Sequence, residues 1–247
     1  MEKWLEARVA ELKRWTERLY SLKIDGPDLS FKAGQFGRLA LEINGQLVAR
    51  PYSFVNAPDE RPHEFYFILL DNGPLTSAMV KLNCGDSIFV AARAAGFLTL
   101  SEVPKAEHLW LLSTGTAIGP FLSILKTDEP WFRFSRVVLV HAVRYREELT
   151  YRDQIARIEA AHSNQLRMVS FVSREDTDFA IKARVPQAIL DGRLQARTQI
   201  DLNAAQSQVM ICGNPDMVRD TTAVLEARGL KKNRRKDPGH ITVEAYW

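Results

Sequence analysis

The chain has 247 residues, 46% of them hydrophobic and 26% charged, with a formal net charge of +3. That balance excludes a disordered chain and leaves material for one large or two modest cores. A bilayer crossing needs roughly 20 consecutive apolar residues, and runs such as Val137 to Val140 fall far short of it. Met1-Glu2-Lys3-Trp4-Leu5-Glu6 mixes both charge signs and lacks an apolar core, so a cytoplasmic location is expected. Cys84 and Cys212 are too few for a disulfide framework and are not spaced as metal ligands, so no metal is expected. Neither nucleic acid nor a membrane is expected as a partner, and the chain is expected to act as a monomer. Lys231, Lys232, Arg234, Arg235 and Lys236 fall together, as a solvated loop or as a docking patch for an acidic partner.

Residues 5 to 24 alternate in places and read as two strands, followed by turn chemistry at Gly26-Pro27-Asp28. Phe36 to Ile43 is a strand, Asn44-Gly45 a hairpin turn, and Gln46 to Phe54 the returning strand. His63 to Leu70 and Ser87 to Ala92 read as further strands. Between them Leu75, Met79 and Leu82 have helical spacing. Several short strands with one small helix predict an antiparallel β-barrel over residues 1–101. From Leu109 strands alternate with helices, which predicts an α/β domain with a parallel sheet over residues 102–247. Its strands are expected at Leu109 to Leu112, Arg136 to Val143, Leu166 to Val172, Gln208 to Cys212 and Ile241 to Ala245. A small-residue loop is expected from Ser113 to Gly119, a short helix from Pro120 and another from Tyr151 to His162. A last helix is signalled by Asn214 as cap, Pro215 at the first position, Asp216 in the first turn and Gly229 as stop.

Four stretches carry chemistry. In Arg50-Pro51-Tyr52-Ser53 period-2 geometry sends Arg50 and Tyr52 to one face of the strand, Pro51 and Ser53 to the other. A guanidinium, a phenol ring and a hydroxyl match the pyrophosphate, ring system and N5 of a flavin dinucleotide; taken alone, such residues at a strand end are more often just a half-exposed edge. Thr114-Gly115-Thr116-Ala117-Ile118-Gly119-Pro120 lies where a phosphate meets backbone amides at a helix start, and its glycines also suit a purely steric turn. Arg144, Ser173-Arg174 and Arg184 offer guanidinium forks and a hydroxyl, which a ribose 2'-phosphate wants and a free 2'-hydroxyl does not, favouring NADP over NAD. In Cys212-Gly213-Asn214-Pro215 the thiol sits between a strand tip and a helix start, where it is either mildly acidified or a small buried filler.

Taken in order, with Gly73-Pro74-Leu75-Thr76 and the terminal Tyr246-Trp247, these stretches resemble the ferredoxin-NADP reductases, above all the bacterial flavodoxin/ferredoxin-NADP reductases. The resemblance spans essentially the whole chain. It implies an FAD-binding barrel joined to a Rossmann-like NADP-binding domain, with FAD tightly bound. It implies FAD contacts at Arg50, Pro51, Tyr52, Ser53, Tyr66, Phe67, Ile68, Leu69, Pro74, Leu75, Thr76, Thr116, Tyr246 and Trp247. NADP(H) contacts are implied at Val143, Arg144, Ser173, Arg174, Arg184, Asn214, Pro215, Asp216 and Asp220. Ser53, Cys212, Glu244 and Tyr246 match the residues around hydride transfer. Pro74 lacks the amide hydrogen that another residue would offer there.

The implied reaction joins a two-electron donor, NADPH, to a one-electron carrier, flavodoxin or a [2Fe-2S] or [4Fe-4S] ferredoxin. A plant-type iron-sulfur cluster takes four thiolates, so such a cluster belongs to the partner. A reductase of the same fold serving free flavin or an oxygenase, and a non-catalytic redox sensor, remain open on sequence alone. Removing Trp247, which by resemblance packs on the adenine, is expected to loosen FAD, read as flavin lost on gel filtration.

Overall fold

The computed structural model describes residues 2–245. Six antiparallel strands form the first sheet: β1 (Trp4–Arg14), β2 (Leu19–Asp25), β3 (Phe36–Ile43), β4 (Gln46–Ser53), β5 (His63–Ile68) and β6 (Ser87–Ala91). Their order is β4-β3-β6-β1-β2-β5. The β3–β4 turn uses Asn44 and Gly45 at φ 53° and 73°, the pair of left-handed residues that a two-residue hairpin requires. A register shift between Val9 and Glu11 bends β1. The sheet curls until its outer strands meet beyond β4, at the bridge between Phe54 and Phe65 and the bond from the Val55 amide to the Glu64 carbonyl. Leu22, Leu39, Phe54, Phe65, Phe67 and Val90 fill the interior, and helix α1 (Pro74–Met79) adds Leu75 and Met79.

The second sheet is wholly parallel. Strands β7 (His108–Thr114), β8 (Arg136–Val143), β9 (Leu166–Val172), β10 (Ser207–Gly213) and β11 (Ile241–Ala245) run in the order β11-β10-β7-β8-β9. The chain winds outward from β7 through β8 to β9, then restarts on the other side of β7. The crevice therefore opens beyond the carboxyl ends of β7 and β10, where such sheets take ligands. Helices α2 (Ile118–Leu125), α3 (Glu129–Arg133) and α4 (Arg152–Ala161) pack on one face, and α5 (Val185–Leu190), α6 (Arg193–Thr198) and α7 (Pro215–Ala227) on the other.

Two sequence expectations are corrected here. The stretch read as a loop from Ser113 to Gly119 is strand to Thr114, one 3-10 turn over Gly115–Ala117, and helix from Ile118. Pro120 is the third helical residue and not the first; it still lies among the amides that have no intrahelical partner, which is why the helix tolerates it. Helices α3, α5 and α6 were not read at all. Each has five or six residues; α1 is as short, and its signal came from apolar spacing that runs on to Leu82, past the helix end at Met79.

The two sheets share a core. Leu19, Val55 and Tyr66 of the barrel lie in one buried cluster with Phe121, Leu122 and Ile124 of α2. The link from Ala91 to His108 adds Leu98, Leu100 and Val103 to that cluster, so a division at 101/102 cuts a stretch packed into the common seam. Polar contacts cross it as well. Ser123 Oγ donates to the Asn56 carbonyl at 2.7 Å, and Lys126 Nζ stands 2.9 Å from Glu60. Thr150 Oγ1 donates to Tyr66 Oη at 2.8 Å, and Tyr151 Oη to buried Glu64 at 2.7 Å. Tyr151 holds a left-handed backbone, φ 58°, at the start of α4, with its ring 4.8 Å from Trp15 and 5.2 Å from Tyr66. Replacing Tyr151 with Phe keeps that packing and deletes one bond to a buried carboxylate. The expected loss is about 1.5–3 kcal/mol, read from the urea midpoint at unchanged slope.

Candidate nucleotide and electron-transfer site

A cleft of about 430 Å³ lies at the switch point, walled on the barrel side by Leu19 and Ile68. Of the residues expected at NADP(H), Val143, Arg144, Ser173, Arg174, Arg184, Asn214, Asp216 and Asp220 all line it. Pro215 opens α7 between two of them and is not on the wall. Thr116, expected at FAD, lines the same cleft at its barrel end together with Thr114 and Gly115.

Backbone bonds hold the arginine loops side by side. The Ser173 amide donates to the Val143 carbonyl at 3.1 Å and the Arg174 amide to the Arg144 carbonyl at 2.9 Å. Glu148 Oε2 accepts from the amides of Arg144 and Tyr145, at 2.8 and 3.0 Å, and Glu175 Oε2 from that of Arg146, at 2.9 Å. Glu148 lines the cleft and was not among the expected residues. Its signal is a capping box whose first residue is Tyr145, where the usual pattern asks for Ser or Thr. Asn214 Oδ1 accepts from the amides of Asp216 and Met217, capping α7, while its own amide donates to Thr114 Oγ1 at 3.0 Å. The Asp216 and Asp220 carboxylates are both engaged by Arg219, at 2.6 and 2.9 Å, which offsets their charge at the cleft rim.

On the barrel, β4 ends with Arg50 and Pro51 exposed, Tyr52 half-buried and Ser53 buried. The Arg50 guanidinium donates to the Ala49 carbonyl at 2.7 Å. Tyr52 rests edge-on against Phe67, with ring centres 6.0 Å apart, and burial pushes its phenol up to about 12. Tyr66 is turned into the seam, whereas Phe67 and Leu75 are turned into the barrel, so what these three can offer a cofactor is backbone. Ile68 and Leu69 are half-buried. The Leu69 carbonyl accepts from the Arg18 guanidinium at 3.2 Å. Pro74 opens α1. Thr76 Oγ1 donates to the Gly73 carbonyl and accepts from the Leu70 amide, closing the turn before the helix. A Cβ on Gly73 would stand 2.5 Å from that hydroxyl, so only glycine fits.

The expected hydride-transfer residues converge from two sheets. Cys212 is fully buried in the seam cluster and pairs in register with Glu244 on β11. Ser53 pairs with Phe36 on β3, and Phe36 bridges Ala95. A Cβ placed on Gly96 would lie 3.2 Å from both Phe36 and the Glu244 carboxylate, so Ser53 and Glu244 approach one corner from opposite sides. Gly96, at φ 117°, escaped the sequence reading and is what lets that corner close. Tyr246 and Trp247 lie outside the described residues.

Burial alone raises the Glu244 carboxyl to about 7 from an ordinary 4.5. Its unfolded form therefore loses the proton first, and stability falls as pH rises from about 4.5 to about 7. Glu244→Gln is expected to remove that slope; denaturant titrations of both proteins at several pH values test it.

A parallel sheet with its cleft at the switch point, facing a barrel with a half-exposed phenol and a guanidinium at one strand end, defines a two-domain nucleotide-dependent oxidoreductase. Residues 111–223 match the model of the oxidoreductase NAD-binding domain. The flavodoxin/ferredoxin–NADP reductase of Escherichia coli strain K12 is 44% identical, with all of both chains covered. The ferredoxin–NADP reductase of Pseudomonas aeruginosa is 35% identical over 96% of this chain and 95% of its own. The crystal structure of a ferredoxin NADP+ reductase from Neisseria gonorrhoeae with bound FAD and NADP superposes with a TM-score of 0.95, at 32% identity and full coverage of both chains. The chain belongs to the flavodoxin/ferredoxin–NADP reductase family.

Proposed function

We propose that this protein uses FAD to carry electrons between NADPH and flavodoxin or ferredoxin. The observation that carries the reading is the cleft at the switch point, which gathers Arg144, Ser173, Arg174 and Arg184 and reaches the barrel at Ile68. Three guanidinium groups and a hydroxyl fit a ribose 2'-phosphate. On the barrel, Arg50 suits a pyrophosphate and the half-exposed Tyr52 ring a flat aromatic system, and the Ser53 hydroxyl would suit flavin N5.

Bound flavin supplies the chemistry, taking two electrons as hydride and releasing them singly. The residues position, exclude water and handle the proton. Arg144, Arg174 and Arg184 anchor the far end of NADPH, leaving its nicotinamide to extend along the cleft toward Thr116 and the barrel. The apolar seam closes the back of the site to solvent, which strengthens the electrostatic contacts made inside. Glu244, with a carboxyl near 7, is able to hold a proton or release it close to neutral pH.

The partner is a flavodoxin or a ferredoxin of the [2Fe-2S] or [4Fe-4S] type, since both carry electrons one at a time. Lys231, Lys232, Arg234, Arg235 and Lys236 are all exposed or half-exposed, and Arg235 lies over Phe97, next in sequence to the Gly96 corner. That placement suits salt-dependent steering of an acidic carrier toward the flavin edge. Among the described residues no helix is long and apolar enough to cross a membrane. The reading includes a monomer acting in the cytoplasm.

Purified protein should be yellow and bleach rapidly on mixing with NADPH; colourless protein, or a flavin that NADPH leaves oxidised, would overturn the reading. Arg174→Ala and Arg184→Ala should each raise the KM for NADPH roughly tenfold or more and change that for NADH about twofold at most. Equal losses for the two coenzymes would remove the 2'-phosphate assignment.

A further inference from the structure

His141 does not line the cleft. It lies on β8, wholly buried, one residue along the ladder from where β7 gives way to the turn at Gly115. Strand alternation puts it on the same face as Val137 and Leu139, the face that packs toward α2 and the barrel. Its register partners are Ser113 on β7 and Ser170 on β9.

The hydrogen-bond geometry fixes its tautomer. Nε2 stands 3.2 Å from the Gly115 carbonyl oxygen, which can only accept, so the proton is on Nε2. Nδ1 is then a bare lone pair and has no hydrogen-bond partner among the described residues. Burial holds the ring neutral by lowering its pKa to about 4. An aliphatic side chain like those of Val137 and Leu139 would fill this place without stranding a polar atom. What it would not supply is the bond to Gly115.

Gly115 is the hinge of the turn. It sits at φ 55°, and nothing lies within 4 Å of the point where a Cβ would be, so side-chain packing does not hold it there. Its carbonyl is held from two sides, by the Ile118 amide within the 3-10 turn and by His141 from beneath. The next residue, Thr116, lines the barrel end of the cleft. The arginine end is fixed by separate bonds, from Glu148 and between the loops that follow β8 and β9.

We propose that His141 is a positioning residue for the redox end of the cleft: a fixed, uncharged N–H donor that locks the turn at Gly115 and so sets where Thr116 meets the nicotinamide half of a bound dinucleotide. The inference rests on the dinucleotide reading of the cleft. It assigns the two ends of one cleft to two independent sets of bonds, and this makes it separable by experiment.

The test compares FAD-loaded wild-type protein with His141→Leu, which removes the donor, and His141→Gln, which returns one. The ligands are 2',5'-ADP, which reaches only the arginine end, and NADP+, which spans the cleft. In His141→Leu the affinity for 2',5'-ADP should stay within about twofold, while NADP+ affinity and the rate of flavin bleaching by NADPH each fall roughly tenfold. His141→Gln should recover most of both losses. Nitrogen-15 NMR of the histidine-labelled wild type should show both His63 and His141 not titrating through the neutral range, and the ring whose signals vanish in His141→Gln should carry its proton on Nε2. Equal losses for the two ligands, an unaltered bleaching rate in the leucine variant, or no recovery with glutamine would overturn the proposal. So would a proton found on Nδ1, a result that stands even if the leucine variant fails to fold. Wild-type protein that binds neither ligand would overturn the NADPH reading itself.

Discussion

Phe121, Leu122 and Ile124 of α2 lie buried in the same cluster as Val55 and Tyr66 of the barrel, and the geometry of the cleft is inherited from that contact. Each large apolar side chain fully withdrawn from water contributes about 1.5–3 kcal/mol, so a seam of this size makes the two sheets one packed body rather than tethered domains. The cleft wall is built from both sides of it. Leu19 and Ile68 come from the barrel, Thr114, Gly115 and Thr116 from the end of β7. A hinge at the seam would move one wall against the other. Burying the seam is what keeps the distance between them fixed.

Polar groups then select one arrangement from the several that apolar contact would allow. Asn56 shows how: its side chain accepts from the Glu64 amide and donates to the Ala57 and Glu60 carbonyls, and its own carbonyl takes the Ser123 hydroxyl from α2. One buried residue thus ties β5, the loop before it and the second sheet's first helix together. Buried polar atoms that are fully partnered resist a change of register, because any slip leaves several of them unpaired at once. The same logic governs the arginine loops. Their backbones are fixed by carboxylates and carbonyls, leaving the guanidinium groups to face the cleft.

The corner where β4, β11 and the Gly96 turn meet is electrostatically different from the arginine end. Glu244 is half-buried there, and burial holds its carboxyl near 7. Glu244 is not part of the cleft wall, which gathers Arg144, Arg174 and Arg184 beside Glu148, Asp216 and Asp220. The two places therefore offer different chemistry: guanidinium groups in the cleft, and one carboxyl near neutrality at the corner.

Strand order in sequence, the Asn44-Gly45 hairpin, the Asn214-Pro215 helix start and the arginines after two strand ends could all be read from the chain, because each is encoded within a few residues of itself. Arg144 and Arg174 are legible for the same reason: a position just after a strand is a local property. Their meeting in one cleft is not, since it depends on β8 and β9 lying side by side in register. The short helices α5 and α6 were invisible because six residues span less than two turns. The resemblance places Phe67 and Leu75 beside a cofactor, Leu75 through its backbone amide; that their side chains fill the barrel is a choice of face that tertiary packing makes. Gly96 and His141 carry no motif, and their roles exist only through partners 148 and 26 residues distant. What the chain specified by itself was local geometry and the kinds of chemical group available. Which of those groups share a cleft was decided by the buried seam, because contacts between distant residues form only once both sheets have closed on a common core.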